Sequence, residues 1–277
     1  MIDKVFSLCM WAAATVVLCM FSWLIADVLI QGIPALSWEF LSSEPLRSGR
    51  EGGVLPIIVS TALILVVALG VAVPLGLGGA IWLAEFANKE SRLFSVIRMT
   101  LDMLAGVPSI VFGLFGYAFF CGFLQLGFSI LSGGLTLACM ILPILIRTTE
   151  AGLAMVPNDW RKAGAALGMR KTTLIIQVLI PYSAPAITAG LLLSIGRATA
   201  ETAALIFTSG YVDRMPESLS DSGRALSVHI YDLSMNVVGG DKAAYGSALV
   251  LIIIVVQINF SANLLSEVWL EKKVARR

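Results

Sequence analysis

Three charged residues stand in stretches that are otherwise apolar. Arg197 falls near the middle of one such stretch, four residues before Glu201 in Gly196-Arg197-Ala198-Thr199-Ala200-Glu201-Thr202. Arg147 closes another, just ahead of Thr148, Thr149 and Glu150. Charge inside a bilayer is costly and faces a cavity or a partner, and a spacing of four puts Arg197 and Glu201 on one face of a helix. Guanidinium groups beside a path attract an anion and grip tetrahedral oxygens through paired hydrogen bonds. The chemistry implied is the binding and passage of an oxyanion. In the plainer reading, Arg197 and Glu201 neutralise each other so that their helix inserts, and Arg147 snorkels to the headgroups.

Covalent chemistry finds no support. There is no nucleophile–base constellation to assemble, and no Gly-x-x-x-x-Gly-Lys-Ser/Thr pattern, so ATP would have to be hydrolysed by another subunit. His229, the one histidine, falls in a polar external loop and reads as solvated. Cys9, Cys19, Cys121 and Cys139 sit in apolar runs and behave as small hydrophobes, with no disulfide or zinc signature. Nothing calls for a cofactor, a metal or nucleic acid.

The elements that must position these charges are membrane helices. Hydrophobic residues make up 58% of the chain and charged ones 13%, well under the roughly 25% of soluble domains, and mean hydropathy is +0.90. Stretches long enough to cross about 30 Å of hydrocarbon run from Phe6 to Ile30, Leu55 to Ala84, Met99 to Leu124, Phe128 to Ile146, Ala186 to Phe207 and Ala244 to Leu265. Six spans make an all-α polytopic membrane protein, read as one permease domain over 1–277. A peripheral helix covers about 6–30 and a transport core about 54–268. The first stretch is too long for a signal peptide, and it ends in Asp27 and large residues without a small-residue cleavage site, so it reads as a retained anchor.

Basic residues orient the spans. Lys4, Lys89, Arg92, Arg98, Arg161, Lys162, Arg170, Lys171, Lys272, Lys273, Arg276 and Arg277 would lie inside; Arg47, Arg50, Arg214, Arg224 and Lys242 would lie outside. Twelve against five places both termini in the cytoplasm. Asp102 and Glu85 fall at membrane borders, where solvation is their expected role.

Between the fourth and fifth spans, about 157–171, lies Pro157-Asn158-Asp159-Trp160-Arg161-Lys162-Ala163-Gly164-Ala165-Ala166-Leu167-Gly168-Met169-Arg170-Lys171, followed by Val178-Leu179-Ile180-Pro181. Pro157 suits a first helical turn and Asn158 or Asp159 its positive end. Gly168 can end the helix in the left-handed conformation, and Arg170 with Lys171 complements the negative end. Ala163, Gly164, Ala165 and Ala166 are small enough for a partner surface to approach closely. The small triplet Lys162-Ala163-Gly164, then Gly168, then Pro181 resembles the coupling loop of ABC-importer permeases. Lys162 departs from that pattern, which opens with an acidic residue, so a docking contact resting on that carboxylate does not carry over.

The stretch from Gly196 to Thr208 is similar to the fifth-helix signature of PstA-type phosphate permeases. The same order of motifs is kept in Ser37-Trp38-Glu39-Phe40-Leu41, Arg50-Glu51-Gly52-Gly53-Val54-Leu55-Pro56, Val73-Pro74-Leu75-Gly76 with Trp82-Leu83-Ala84-Glu85, Ala105-Gly106-Val107-Pro108-Ser109-Ile110-Val111-Phe112-Gly113, and Arg147-Thr148-Thr149-Glu150. The resemblance covers about Pro34 to Leu265. It implies a type I ABC importer permease fold in a bacterial cytoplasmic membrane, with a PstC-type permease beside it. It also implies two copies of a PstB-type ATPase inside, and a PstS-type phosphate-binding protein docking outside near Trp38 to Gly53 and Tyr211 to Tyr245. By the same resemblance Arg147, Arg197 and Glu201 line the path, and Lys162, Ala163, Gly164, Gly168 and Pro181 form the ATPase coupling site. Sulfate or molybdate would suit the same machine. An ion-coupled secondary transporter could also hold Arg197 and Glu201 at the midplane, though it would have no use for a coupling loop.

Overall fold

The computed structural model describes residues 2–274; Arg276 and Arg277, counted in the basic set above, lie outside the described residues. The chain is helical almost throughout, because lipid offers no partner to a free backbone N–H or C=O. Helix α1 (Ile2–Gly32) leads through a 3-10 turn (Ile33–Ala35) to a short helix α2 (Trp38–Ser42) and a hairpin of β1 (Pro45–Leu46) and β2 (Glu51–Gly52), antiparallel with Pro45 opposite Gly52. Helix α3 (Leu55–Ile81) follows, and its last turn, Trp82–Phe86, widens into a π-helix. Then come α4 (Arg92–Ala105), α5 (Ser109–Gly116) with a π-helical extension Tyr117–Phe123, α6 (Ile130–Ala154), α7 (Asn158–Ala166) and α8 (Lys171–Leu174). A π-turn (Ile175–Leu179) continues α8 into α9 (Ile180–Thr199), and the chain closes with α10 (Ala203–Ile206), α11 (Leu226–Met235) and α12 (Asp241–Val274).

Among the described residues, five helices are long and apolar enough to cross a membrane: Phe6–Ala35, Leu55–Phe86, Ile130–Ala154, Lys171–Thr199 and Asp241–Ala262. The third crossing differs from the expected Met99–Leu124 rod, because α4 and α5 meet at an angle of 102°. The cause is Gly106-Val107-Pro108. Gly106 caps α4, proline disfavours the helical conformation at Val107, and Pro108 sits extended at φ −59°, ψ 140° as the N-cap of α5. The fifth crossing begins at Lys171 rather than Ala186 and stops at Thr199 rather than Phe207. Pro181 has no N–H to give the turn before it, and the π-turn precedes it.

Lipid is as apolar as leucine, so these helices associate through close packing rather than hydrophobic burial. The main contact joins α3 to α6. A methyl group added at Gly134 would meet Val67 Cγ1 at 2.5 Å, and one at Gly76 would meet Leu145 Cδ2 at 2.7 Å. Ile64, Leu65, Ala68 and Ala72 of α3 interlock there with Leu137, Met140 and Ile141 of α6, and Phe112, Leu205 and Val228 close the ends. Helix α6 also lies along α9, with Gly152 against Ala186. Helix α1 stands apart: it touches α12, where Tyr245 donates to Asp27 at 3.1 Å, and its apolar window is unburied within the chain.

Gly134→Val should therefore overpack α3 against α6, which costs roughly 1 to 3 kcal/mol, while Gly70→Val, with open space around it, should not. Thermal inactivation of the detergent-purified protein measures the difference, with a lower midpoint for Gly134→Val alone.

Candidate functional site

The segment about 157–171 folds as a helix, with Pro157 at its N-cap and Asp159 in its first turn. Gly168 ends it at φ +68°. Met169 N–H bonds Gly164 O at 3.0 Å and Gly168 N–H bonds Ala165 O at 3.0 Å, so the last carbonyls are satisfied in the Schellman manner. Lys162, Ala163, Ala165, Ala166 and Leu167 are exposed, Leu167 at 79%. Gly164 is not part of that face. It is buried, and a methyl group there would meet Leu174 Cδ1 at 2.8 Å, so its small size serves α7 packing on α8 within this chain. Lys162 pairs with Asp159 at 3.5 Å in full solvent exposure, a contact of little weight. Pro181 opens α9, and its neighbour Tyr182 takes Trp160 of α7 edge-on at 4.9 Å.

Arg161 binds inward. Its Nε and Nη2 donate to Glu85 Oε1 at 3.0 and 2.6 Å, Nη1 to Val156 O at 2.7 Å and Nη2 to Leu153 O at 2.9 Å. The Glu85 side chain is 6% exposed. It is not the solvated border residue the sequence suggested. Lys171 bonds Glu85 O and lies 4.3 Å from the centre of the Phe86 ring, so this lysine ties α8 to the end of α3 instead of neutralising the end of α7. Arg170 forms the N-cap of α8.

Arg147 sits inside α6, which runs on to Ala154, and it does not snorkel. Nε donates to Asp102 Oδ1 at 2.7 Å and Nη1 to Glu150 Oε2 at 2.6 Å, while Arg98 approaches Glu150 at 3.6 Å. Asp102 keeps the solvent exposure expected of it, with its side chain 57% accessible, and is paired as well. These charges edge an open cavity of about 700 Å³ lined also by Lys89, Phe94, Met99 and Met103.

Arg197 and Glu201 do not share a helical face, because α9 stops at Thr199. Glu201 is buried in the break, and its Oε1 accepts from Ala204 N–H at 3.2 Å while its backbone O accepts from Ser227 Oγ at 2.5 Å. Arg197, half-buried, has no ion pair or hydrogen bond among the described residues. The mutual neutralisation read from the spacing is absent.

His229 is corrected too. It is fully buried on α11, and its ring leaves no room for a side chain at Gly49, which takes φ +84° at the hairpin tip. Arg224 links this layer, donating from Nε to Tyr211 O at 2.8 Å and lying 3.1 Å from Asp232 and 3.3 Å from His229 Nδ1. Burial, and then the Arg224 charge, lowers the His229 pKa to about 4.

Residues 73–276 match the family described as binding-protein-dependent transport system inner membrane component. The chain belongs to that family. A probable ABC transporter permease, YqgI of Bacillus subtilis, is 30% identical over 98% of this chain and 95% of its own length. The phosphate transport system permease protein PstA 1 of Mycobacterium tuberculosis is 34% identical over 88% of this chain and 80% of its own, and PstA 2 of Mycobacterium bovis 29% over 95% and 88%. A structure of the MetNI methionine ABC transporter, from a study of its inward-facing conformations, superposes with a TM-score of 0.58 over 78% of this chain and 94% of its own. At 15% identity that match shows the type I importer permease fold alone. Sequence reasoning for this family member missed Glu85, Asp102 and Arg98, whose partners lie far along the chain. Glu150 was readable, three residues after Arg147.

A buried neutral histidine makes the layer around α11 acid-sensitive. Because the folded pKa lies below the ordinary 6.5, its stabilisation is complete above that value and is lost as pH falls toward about 4. Between about pH 7.5 and about pH 5 the opening free energy around Leu226–Met235 should drop by roughly 2 kcal/mol. Amide hydrogen exchange measures it, and His229→Gln should flatten the dependence.

Proposed function

We propose that this chain is the membrane permease subunit of an ATP-driven importer that carries inorganic phosphate into the bacterial cytoplasm. The observation that carries the reading is the likeness to proteins named as PstA phosphate permeases along 88 to 95% of the chain. The whole chain acts as one transmembrane domain with α1 as its peripheral helix. It is not itself an enzyme: a PstB-type ATPase, present twice, hydrolyses ATP, a PstC-type permease stands alongside, and a PstS-type protein delivers phosphate from outside. Both termini and α7 face the cytoplasm. The coupling site is the exposed face of Lys162 and Ala163, with Gly164, Gly168 and Pro181 shaping the helix behind it.

In the path, Arg197 meets the anion, because it lies within the membrane-crossing stretch Lys171–Thr199 and its guanidinium has no ion pair or hydrogen bond among the described residues. Glu201 holds the break that ends α9 just beyond it. Arg147 acts nearer α7, where an anion must compete with Asp102 and Glu150 for its N–H groups. Closure of the ATPase shifts the permease between outward- and inward-facing states, which requires unequal affinity for phosphate in the two.

Arg197→Gln should lower uptake of labelled phosphate by roughly tenfold to a hundredfold, the worth of a charge-assisted hydrogen bond, with Arg197→Lys falling in between. Proteoliposomes holding the full complex measure this, with excess sulfate and molybdate as competitors. Wild-type uptake in Arg197→Gln would remove the arginine from the path, and competition by sulfate or molybdate would change the substrate assignment.

A further inference from the structure

Two cations, one on the coupling helix and one just beyond it, converge on a single residue, Glu85, whose side chain is buried. Arg161 stands in the middle of α7 and delivers two N–H groups to Glu85 Oε1, at 3.0 and 2.6 Å. The same guanidinium donates to Leu153 O at the end of α6 and to Val156 O just beyond it. One side chain thus touches α7, the end of α6 and the end of α3. The planar five-donor fork of arginine makes these four hydrogen bonds at once; a lysine ammonium, with three donors, cannot. From the far side Lys171 reaches the backbone carbonyl of the same Glu85. Below the charges lies an apolar floor of Leu153, Val156, Leu174, Ile175 and Leu179.

Two features set this junction apart from an ordinary stabilising pair. A buried ion pair is an inefficient way to stabilise a fold, since apolar residues of equal volume serve as well, whereas it does fix register between elements. The carboxylate also sits on a π-turn, Trp82–Phe86, a deformation that recurs at functional sites and that ends the helix packed along α6. The outward face of α7, by contrast, with Lys162, Ala163, Ala166 and Leu167, is solvent-exposed among the described residues.

We propose that Glu85 is a positioning residue for coupling: through Arg161 it converts displacement of α7 into displacement of α3, and so sets how much substrate moves per ATP. This rests on the importer reading above and names a contact which that reading does not contain.

The test uses the complete complex in proteoliposomes, with ATP hydrolysis and labelled phosphate uptake followed in the same vesicles. Glu85→Gln and Arg161→Lys should each lower the phosphate moved per ATP by about tenfold or more, with the ATPase still copurifying, and Glu85→Asp should recover part of the ratio. A purely structural role would lower hydrolysis and uptake in proportion, and that result, or an unchanged ratio in Arg161→Lys, overturns the proposal. If Glu85→Gln fails to assemble, Arg161→Lys decides, because it keeps the charge. Wild-type vesicles that move sulfate or molybdate instead of phosphate would correct the substrate, and the ratio would then be read with that anion.

Discussion

Inside a bilayer every polar group must find its partner within the protein, and the places where the chain departs from plain helix show how this requirement shapes the rest. Where α9 stops, the exposed groups are taken up locally: Glu201 accepts from Ala204 N–H, Ser227 donates to Glu201 O, and Thr61 Oγ1 accepts from Leu226 N–H at 2.9 Å. Where the third crossing bends, Pro108 has no N–H to orphan. Arg147 and Arg161 each hold two or more acceptors drawn from separate helices. Arg197, within the fifth crossing, has no ion pair or hydrogen bond among the described residues, and that makes it the candidate for a transported anion.

The same requirement separates the two arginine sites in kind. The Arg147 cluster, with Asp102, Glu150 and Arg98, is balanced in charge, so an anion arriving there must displace a carboxylate. Arg197 needs no such exchange. In the proposed path, an anion passing from Arg197 to the paired Arg147 would meet its resistance at the second. Helix α6 carries Arg147 within it and gives Leu153 O, near its end, to Arg161.

Much of this was legible in the sequence wherever one segment decides its own structure. Hydropathy located the first, second, fourth and sixth crossings, and Pro157 with Gly168 marked the ends of α7. The third crossing was read as straight because apolar content continues through Gly106-Val107-Pro108, whose backbone restrictions, not their hydropathy, make the bend. The fifth was placed too late because Thr172, Thr173, Gln177 and two prolines dilute a stretch that is nonetheless helical. Spacing put Arg197 and Glu201 on one face only on the premise of an unbroken helix. Glu85 to Arg161 and Asp102 to Arg147 are separated by 76 and 45 residues, and no local pattern encodes pairs so distant. His229 was read as solvated from its polar neighbours, whereas the hairpin tip at Gly49 covers it.

The account's central claim is that α7 and the end of α3 move as one body when the ATPase closes. Spin labels at Ala166, on the exposed face of α7, and at Asn88, just beyond the π-turn, report this directly through pulsed dipolar distance measurements on the reconstituted complex with and without ATP. The account predicts the same narrow Ala166–Asn88 distance in both states, while a second pair, Ala166 against Phe123 at the far end of the third crossing, changes. A shift or broadening of the Ala166–Asn88 distance on ATP binding would contradict it, for α7 would then move without carrying α3.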